Sequence, residues 1–439
     1  MRVRSFLAFG FVAATLGACS SEPIASGGGM TGGTGGDTTS AQGGASASGA
    51  QGGSAGTDTA TVTDYTTSPC YGQPSSTEVY DLSTHATHTV TATCRAEGEF
   101  ARVYVTDELW ETQADPSAEP LDQDQINEFM AGYELHGASG SYRPDLGVLP
   151  TDEAVFGALP PVQLTDGKLA IYIVDSGGAG QGYLCSWCAT TQLHLDYISL
   201  GSLHSDLTFS IAAHESYHAI HHGYDPTEVF WIDETFAESA MTVNGYYTDS
   251  AWVATFLHDT NVEWGPGLSS DTDFNYGAGL LLGTFLWERD GAPFLAAVTQ
   301  DPKHEWAGVD SALATVGDTE TSWQLWSDLG LAIFLDDPAS GYAIKSFELG
   351  AKVQPIVATT GTPVTQTLAP YGFVYVTFGA DATRLTLKSD GDIASRLVYP
   401  GTPADVRELT VGQSVDLEGT PRVLLLTAQQ KTPFELDVE

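Results

Sequence analysis

Alternating apolar and polar positions mark strands at Thr87–Thr93 and Ala101–Thr106. The run Lys168–Asp175, KLAIYIVD, enters from the turn Asp166-Gly167 and is the clearest strand in the chain. Gln192–Leu200, QLHLDYISL, predicts another, and Ser176–Ala179 between them reads as a mobile Gly-rich loop. Ile126, Phe129, Met130 and Tyr133 fall at helical spacing and predict a helix over Asp122–Tyr133. A longer helix is expected to open with Asp206 as its N-cap, follow Leu207, Ile211 and Ile220, and stop at Gly223. The next is expected to run from an N-cap at Asp233 to Val243, before Asn244-Gly245. Helical segments follow near Gly277–Arg289, Pro293–Thr299, Val309–Thr315 and Thr321–Leu335.

From about Val353 short strands return, at Gly372–Phe378, Arg384–Lys388, Ser395–Tyr399, Ser414–Leu417 and Arg422–Ala428, separated by Gly, Pro and Asp. Strand-rich sequence, two helices, further helices and then strands again is α+β order. The expected division is a main domain over residues 64–350 and a small C-terminal β-sandwich over 353–439. That sandwich resembles accessory modules appended to secreted bacterial peptidases.

The amino terminus follows other rules. Residues 1–18 read as a signal peptide, with Arg2 and Arg4 before an apolar stretch from Phe6 to Leu16 that is too short to span a membrane. Leu16-Gly17-Ala18-Cys19 resembles the lipobox of bacterial lipoproteins, which implies that Cys19 is acylated and becomes the new amino terminus. An ordinary cleaved signal with an incidental cysteine is the alternative. Residues 19–63 are dominated by Gly, Ser, Thr and Ala and read as a flexible tether, since such a composition cannot bury enough surface to offset its ordering entropy. The expected location is outside the cytoplasmic membrane, on the outer membrane or cell surface, with the lipid as the only membrane contact.

The 439 residues carry 16 Lys and Arg against 56 Asp and Glu, a formal net charge of −40. Phosphate contacts need cations, so this balance excludes a nucleic-acid surface. With Cys19 assigned to lipid, Cys70, Cys94, Cys185 and Cys188 form an even set in an oxidising compartment, and disulfides Cys70–Cys94 and Cys185–Cys188 are expected. Alternatively, Cys185-x-x-Cys188 is a redox motif or half a zinc site, and Cys70 is a thiol that caps a metal. Asp271 and Asp273 raise calcium binding as a question, although no loop has a known calcium spacing.

The chemistry concentrates in His214-Glu215-Ser216-Tyr217-His218. Residues four apart share a helix face, so both imidazoles can converge on one metal ion while Glu215 reaches a metal-bound water as general base. A third ligand is offered by Trp231-Ile232-Asp233-Glu234-Thr235-Phe236-Ala237-Glu238. Glu234, in the first turn of its expected helix, completes a two-His, one-Glu set with an open fourth position. Glu238, one turn further, can accept the outer N–H of a ligand imidazole; a solvated helix carboxylate is the plainer alternative.

HESYH followed by WIDETFAE resembles the gluzincin zinc metallopeptidases, in which the first motif supplies two zinc ligands and the base and the second supplies a ligand Glu and a supporting acid. The order of parts from Gly167 to Leu335 is similar to hyicolysin-like peptidases. The resemblance implies a zincin-like domain: a mixed sheet, an active-site helix and a helical lobe. It implies Zn2+ as cofactor and a protein or peptide substrate. This sequence departs from the family at Asp233 and Thr235, where Asn and a small residue are usual. A metzincin pattern does not fit, because the positions three and six beyond His218 hold His221 and Tyr224.

Tyr276, in Asn275-Tyr276-Gly277-Ala278-Gly279, resembles the tyrosine with which some gluzincins stabilise the transition state; an ordinary loop tyrosine is the alternative. Tyr217, His221 and His222 are expected at the rim or in the core. The strand segment His194–Ile198 is expected to border the cleft and pair with an extended substrate, provided that one of its edges is open. The expected function is a monomeric zinc-dependent endopeptidase that uses a zinc-activated water with Glu215 as base. The rival readings are a surface lipoprotein that uses a peptidase-like fold for adhesion or binding, and a hydrolase of non-peptide amides.

Overall fold

The computed structural model describes residues 63–439, apart from 115, 117, 162–163, 179, 187, 189, 247–249, 266–274, 350–351, 402, 418, 420 and 422. The signal, Cys19, the tether and the Asp271 and Asp273 question therefore lie outside the described residues. The chain runs through β1 (Pro74–Asp81), β2 (Ala86–Glu97), β3 (Ala101–Thr106), α1 (Gln123–Glu134), α2 (Val148–Phe156), β4 (Leu169–Val174), β5 (Gly182–Cys185) and β6 (Gln192–Asp196). These six strands form one mixed sheet in the order β1-β2-β3-β4-β6-β5. β3, β4 and β6 are parallel, and the outer pairings are antiparallel.

Every residue of β4 is buried, as expected of a parallel strand covered on both faces. Ile171 and Ile173 point with Val103, Val105, Leu193 and Leu195 into the main core. Ala170, Tyr172 and Val174 meet Val79 and Ala92 on the other side. Disulfide Cys70–Cys94 ties the segment before β1 to β2, and Cys185–Cys188 closes the end of β5.

Three local expectations change here. The strand expected over Gln192–Leu200 ends at Asp196, whose Oδ1 accepts the N–H groups of Ile198 and Ser199 and turns the chain into the short helix α3 (Tyr197–Leu200). Its other oxygen accepts from the Ser176 hydroxyl and the N–H groups of Ser176 and Gly178, so the described part of the Gly-rich loop is pinned rather than free. β6 also has no open edge, because β4 and β5 flank it. Pairing of a substrate with His194–Ile198 is thereby excluded, and the edge strand of the sheet on this side is β5.

Helix α4 (Asp206–Tyr224) is capped by Ser205, whose hydroxyl accepts from Thr208 N at 3.1 Å; Asp206 is its first residue, not its cap. It passes Gly223 without stopping. A Cβ at Gly223 would come within 2.5 Å of Pro160, so this glycine permits close packing rather than a turn. α4 is buried continuously from Thr208 to His221, beneath the sheet on one side and α5 (Phe230–Val243) on the other. α5 starts three residues before the expected cap, behind Val229, which places Asp233 inside the helix and Glu234 in its second turn.

After α6 (Ser250–His258), α7 (Tyr276–Gln300) breaks at Gly291, where φ is 68°, just before Pro293. The two segments expected there are the halves of this kinked helix. Gly283 lets α7 approach α5, since a Cβ there would sit 2.6 Å from Thr235 O. α8 (Glu305–Val316) and α9 (Ser322–Leu335) complete the helices.

The remaining strands are β7 (Ile356–Ala358), β8 (Val364–Leu368), β9 (Phe373–Phe378), β10 (Arg384–Lys388), β11 (Ala394–Tyr399), β12 (Asp405–Arg407), β13 (Ser414–Asp416), β14 (Val423–Thr427) and β15 (Thr432–Val438). They form sheets β13-β10-β15-β8 and β12-β11-β14-β9-β7 that share a core of Leu385, Leu387, Leu397, Leu424, Leu426, Phe434 and Leu436. The second sheet buries its outer face too. Phe373, Tyr375 and Leu425 join the main core against α9: Trp326 stacks on Phe373 at 4.6 Å, and the Tyr375 hydroxyl donates to Gly330 O at 2.9 Å. Trp326 also meets Trp264 at 4.5 Å, Trp264 meets Trp231 of α5 at 6.2 Å, and Trp231 meets Trp306 at 4.8 Å. Aromatic packing thus runs from the sandwich to the helix that carries Glu234. Among the described residues no helix is long and apolar enough to cross a membrane.

Candidate metal centre

His214 and His218 leave α4 one turn apart on the same face, with their Nε2 atoms 3.0 Å from each other and their rings nearly perpendicular. α5 packs across α4 and brings Glu234 to both. Its Oε2 lies 3.3 Å from His214 Nε2 and its Oε1 3.6 Å from His218 Nε2. All three side chains are buried.

These separations test the fit of a metal. Ligands about 2.0–2.1 Å from a tetrahedral zinc stand roughly 3.3–3.4 Å from one another. The imidazole nitrogens stand 3.0 Å apart and each meets a different oxygen of Glu234, at 3.3 and 3.6 Å, close to that spacing. Two imidazole nitrogens and a carboxylate that face each other without a donor for every pair form a donor set for a cation. The set fits a three-ligand zinc.

Each imidazole of the trio is backed by its own acid. His214 Nδ1 is 3.2 Å from Glu238 Oε1, and His218 Nδ1 is 2.9 Å from Asp233 Oδ2. Asp233 Oδ1 is 2.6 Å from His221 Nδ1. Burial would raise the Asp233 carboxyl, but the two imidazoles outweigh it and hold the group far below the carboxylate range. Burial likewise opposes charge on His218, yet Asp233 and Glu234 lift it to about 9, so the cluster draws positive charge. Sequence reasoning gave Asp233 a capping role and missed this one. The signal was present: His221 lies three residues after His218, on a neighbouring face of α4, and presents a second partner for one acid.

Glu215 is buried on α4, the helix that packs against β5. Gly182 of β5 sits directly on Ile211, one turn before Glu215. The Tyr183 phenol is pushed up chiefly by burial, against the N–H bond it accepts from Tyr80, and the charges of Asp196 and Glu215 add to the rise.

A cavity of about 110 Å³ opens beside the ligands. His218, Asp233 and Glu234 line one wall, Leu184 of β5 and Ser186 just after it another, the α4–α5 connection supplies Asp225, Pro226 and Glu228, and Phe230 opens α5 beside them. His222 also lines it, with a pKa lowered by burial. Burial raises the pKa of Glu228 against the N–H bonds it accepts.

The other sequence candidates are placed as follows. Cys185, Cys188 and His194 lie close enough to hold an ion, but the two sulfurs are joined as a disulfide. His194 is engaged by the Tyr183 hydroxyl at 2.7 Å and Gln192 Oε1 at 3.1 Å, and burial pushes its pKa down to about 3. Tyr217 is a core residue packed edge-on against Phe156. Tyr276 is the first residue of α7, after an Asn275 cap, with its ring 6.0 Å from that of Trp252. No protein-family model matches the chain, and no curated protein matches it.

Proposed function

We propose that this chain is a zinc-dependent endopeptidase of gluzincin type on a zincin-like fold, anchored outside the cytoplasmic membrane by lipid on Cys19. The observation that supports this most strongly is the meeting of the His214, His218 and Glu234 donor atoms within 4.8 Å of one another, with a carboxylate behind each imidazole. His214, His218 and Glu234 would hold the zinc, which when bound supplies a Lewis acid and lowers the pKa of a water toward about 7.

The chain's own groups do the rest. Glu215 accepts a proton from the attacking water and returns it to the leaving amine. Glu238 and Asp233 hold the imidazoles in the tautomer that leaves Nε2 free to ligate. The backbone of β5, an edge strand beside the cavity, is available to pair with an extended substrate. Tyr276 is the proposed oxyanion donor. Protein purified without added zinc should contain one equivalent of the metal and cleave casein in a chelator-sensitive manner. Metal-free protein, or cleavage that persists in chelator, would remove this reading.

A further inference from the structure

Three of the acids that line the cavity have a local counterpart. Glu234 belongs to the ligand set, and Asp233 is shared by His218 and His221. Asp225 accepts from Thr227 with one oxygen and lies 3.2 Å from His304 Nε2 with the other. Glu228 differs. Its Oε1 accepts the N–H groups of Val229 at 2.7 Å and Glu305 at 3.1 Å, and among the described residues no ion pair engages its second oxygen. No Lys or Arg lines this cavity.

Beside Glu228 the same cavity presents apolar surface from Leu184, Pro226 and Phe230. An aliphatic stem that ends in a cation matches such a wall, with its methylenes on the apolar side chains and its head on the carboxylate. About 110 Å³ holds one side chain rather than a whole ligand. His221 and His304 act on Glu228 without forming an ion pair with it, a half-buried carboxylate with no countercharge in contact is costly, and a bound cation would offset that cost.

We infer that Glu228 selects substrates with a Lys or Arg side chain beside the bond cleaved. This rests on the peptidase reading of the site and adds the substrate class to it. Glu228→Gln is a conservative probe, because one oxygen serves both backbone N–H groups and the amide retains it.

The test is equilibrium binding to the full-length Glu215→Gln variant, in which turnover is blocked. The probes are blocked alanine hexapeptides with one Lys, Leu or Glu at each position in turn. At one position Lys should bind about tenfold more tightly than Leu. Adding Glu228→Gln should bring that ratio near one, and Glu228→Lys should turn it in favour of Glu. Equal binding of Lys and Leu peptides at every position overturns the inference, as does failure of any Lys peptide to bind at millimolar concentration. A Lys preference that persists in Glu228→Gln also overturns it. The two readings fail separately. Casein cleavage without the Lys preference removes only the role of Glu228, whereas the preference without cleavage removes the peptidase reading and leaves a cation-binding pocket.

Discussion

Asp233 joins two histidines of one helix, with Oδ2 2.9 Å from His218 Nδ1 and Oδ1 2.6 Å from His221 Nδ1. Of the two, His218 belongs to the proposed ligand set and His221 does not. Removing such an acid commonly weakens metal binding about 10–100-fold. Asp233→Ala should show a loss in that range when zinc is titrated against a competing chelator, and Asp233→Asn a smaller one. Wild-type affinity in both variants would mean that the carboxylate does not orient His218.

Glu215 is buried, follows His214 directly on α4 and lies outside the candidate ligand set. Glu215→Gln should keep zinc at the wild-type ratio while hydrolysis falls by roughly 10²–10⁴. Metal content and casein turnover measured on one preparation separate the two effects. Undiminished turnover would exclude Glu215 as the base.

Tyr276 opens α7 next to Trp252. If its hydroxyl stabilises the oxyanion, Tyr276→Phe should reduce kcat by about 10²–10³ with little change in KM or zinc content. An unchanged kcat would return Tyr276 to a packing role.

Asp152 offers a pH-dependent test away from the metal. It is fully buried on α2, and burial raises its pKa well above the ordinary value; the bond from Asn244 Nδ2 opposes that and the Glu153 charge adds to it. Among the described residues Asp152 Oδ2 and Asn244 Oδ1 make no hydrogen bond, so a proton on Asp152 suits the folded state. A raised folded-state pKa gives stability that is complete below the unfolded value near 4 and is lost as pH rises through the folded value. Asp152→Asn keeps the acceptor and supplies a permanent donor. Its gain in Tm over wild type should therefore be a few degrees larger at pH 8 than at pH 5, read by thermal melts. Equal gains at both would show that Asp152 does not titrate in this way.

Where the sequence carried strong periodicity it was legible. Ala101–Thr106 and Arg384–Lys388 are strands with the expected bounds, and the Cys70–Cys94 and Cys185–Cys188 pairings are observed. The meeting of His214, His218 and Glu234 was readable because HExxH needs only helix geometry, and Glu234 needs only a second helix across the first. What escaped was set by tertiary contact. α5 begins behind Val229, which offers no capping side chain, so the better capper Asp233 drew the boundary to itself. α2 likewise begins behind Gly147 with no side-chain cap. β5 has four residues, too few for alternation to register, and its existence is what removed the edge from β6. β8 exposes three of its five residues and carries little apolar signal.

The tryptophans between α5 and the sandwich make the last eighty residues part of the wall behind Glu234. A protease that clipped the chain near residue 350 would bare Trp326 and much of α9 to water, and the remnant would aggregate instead of surviving as a smaller enzyme. Heating should therefore melt both halves in one transition, and maturation by removal of the carboxy-terminal strands is not a route open to this protein.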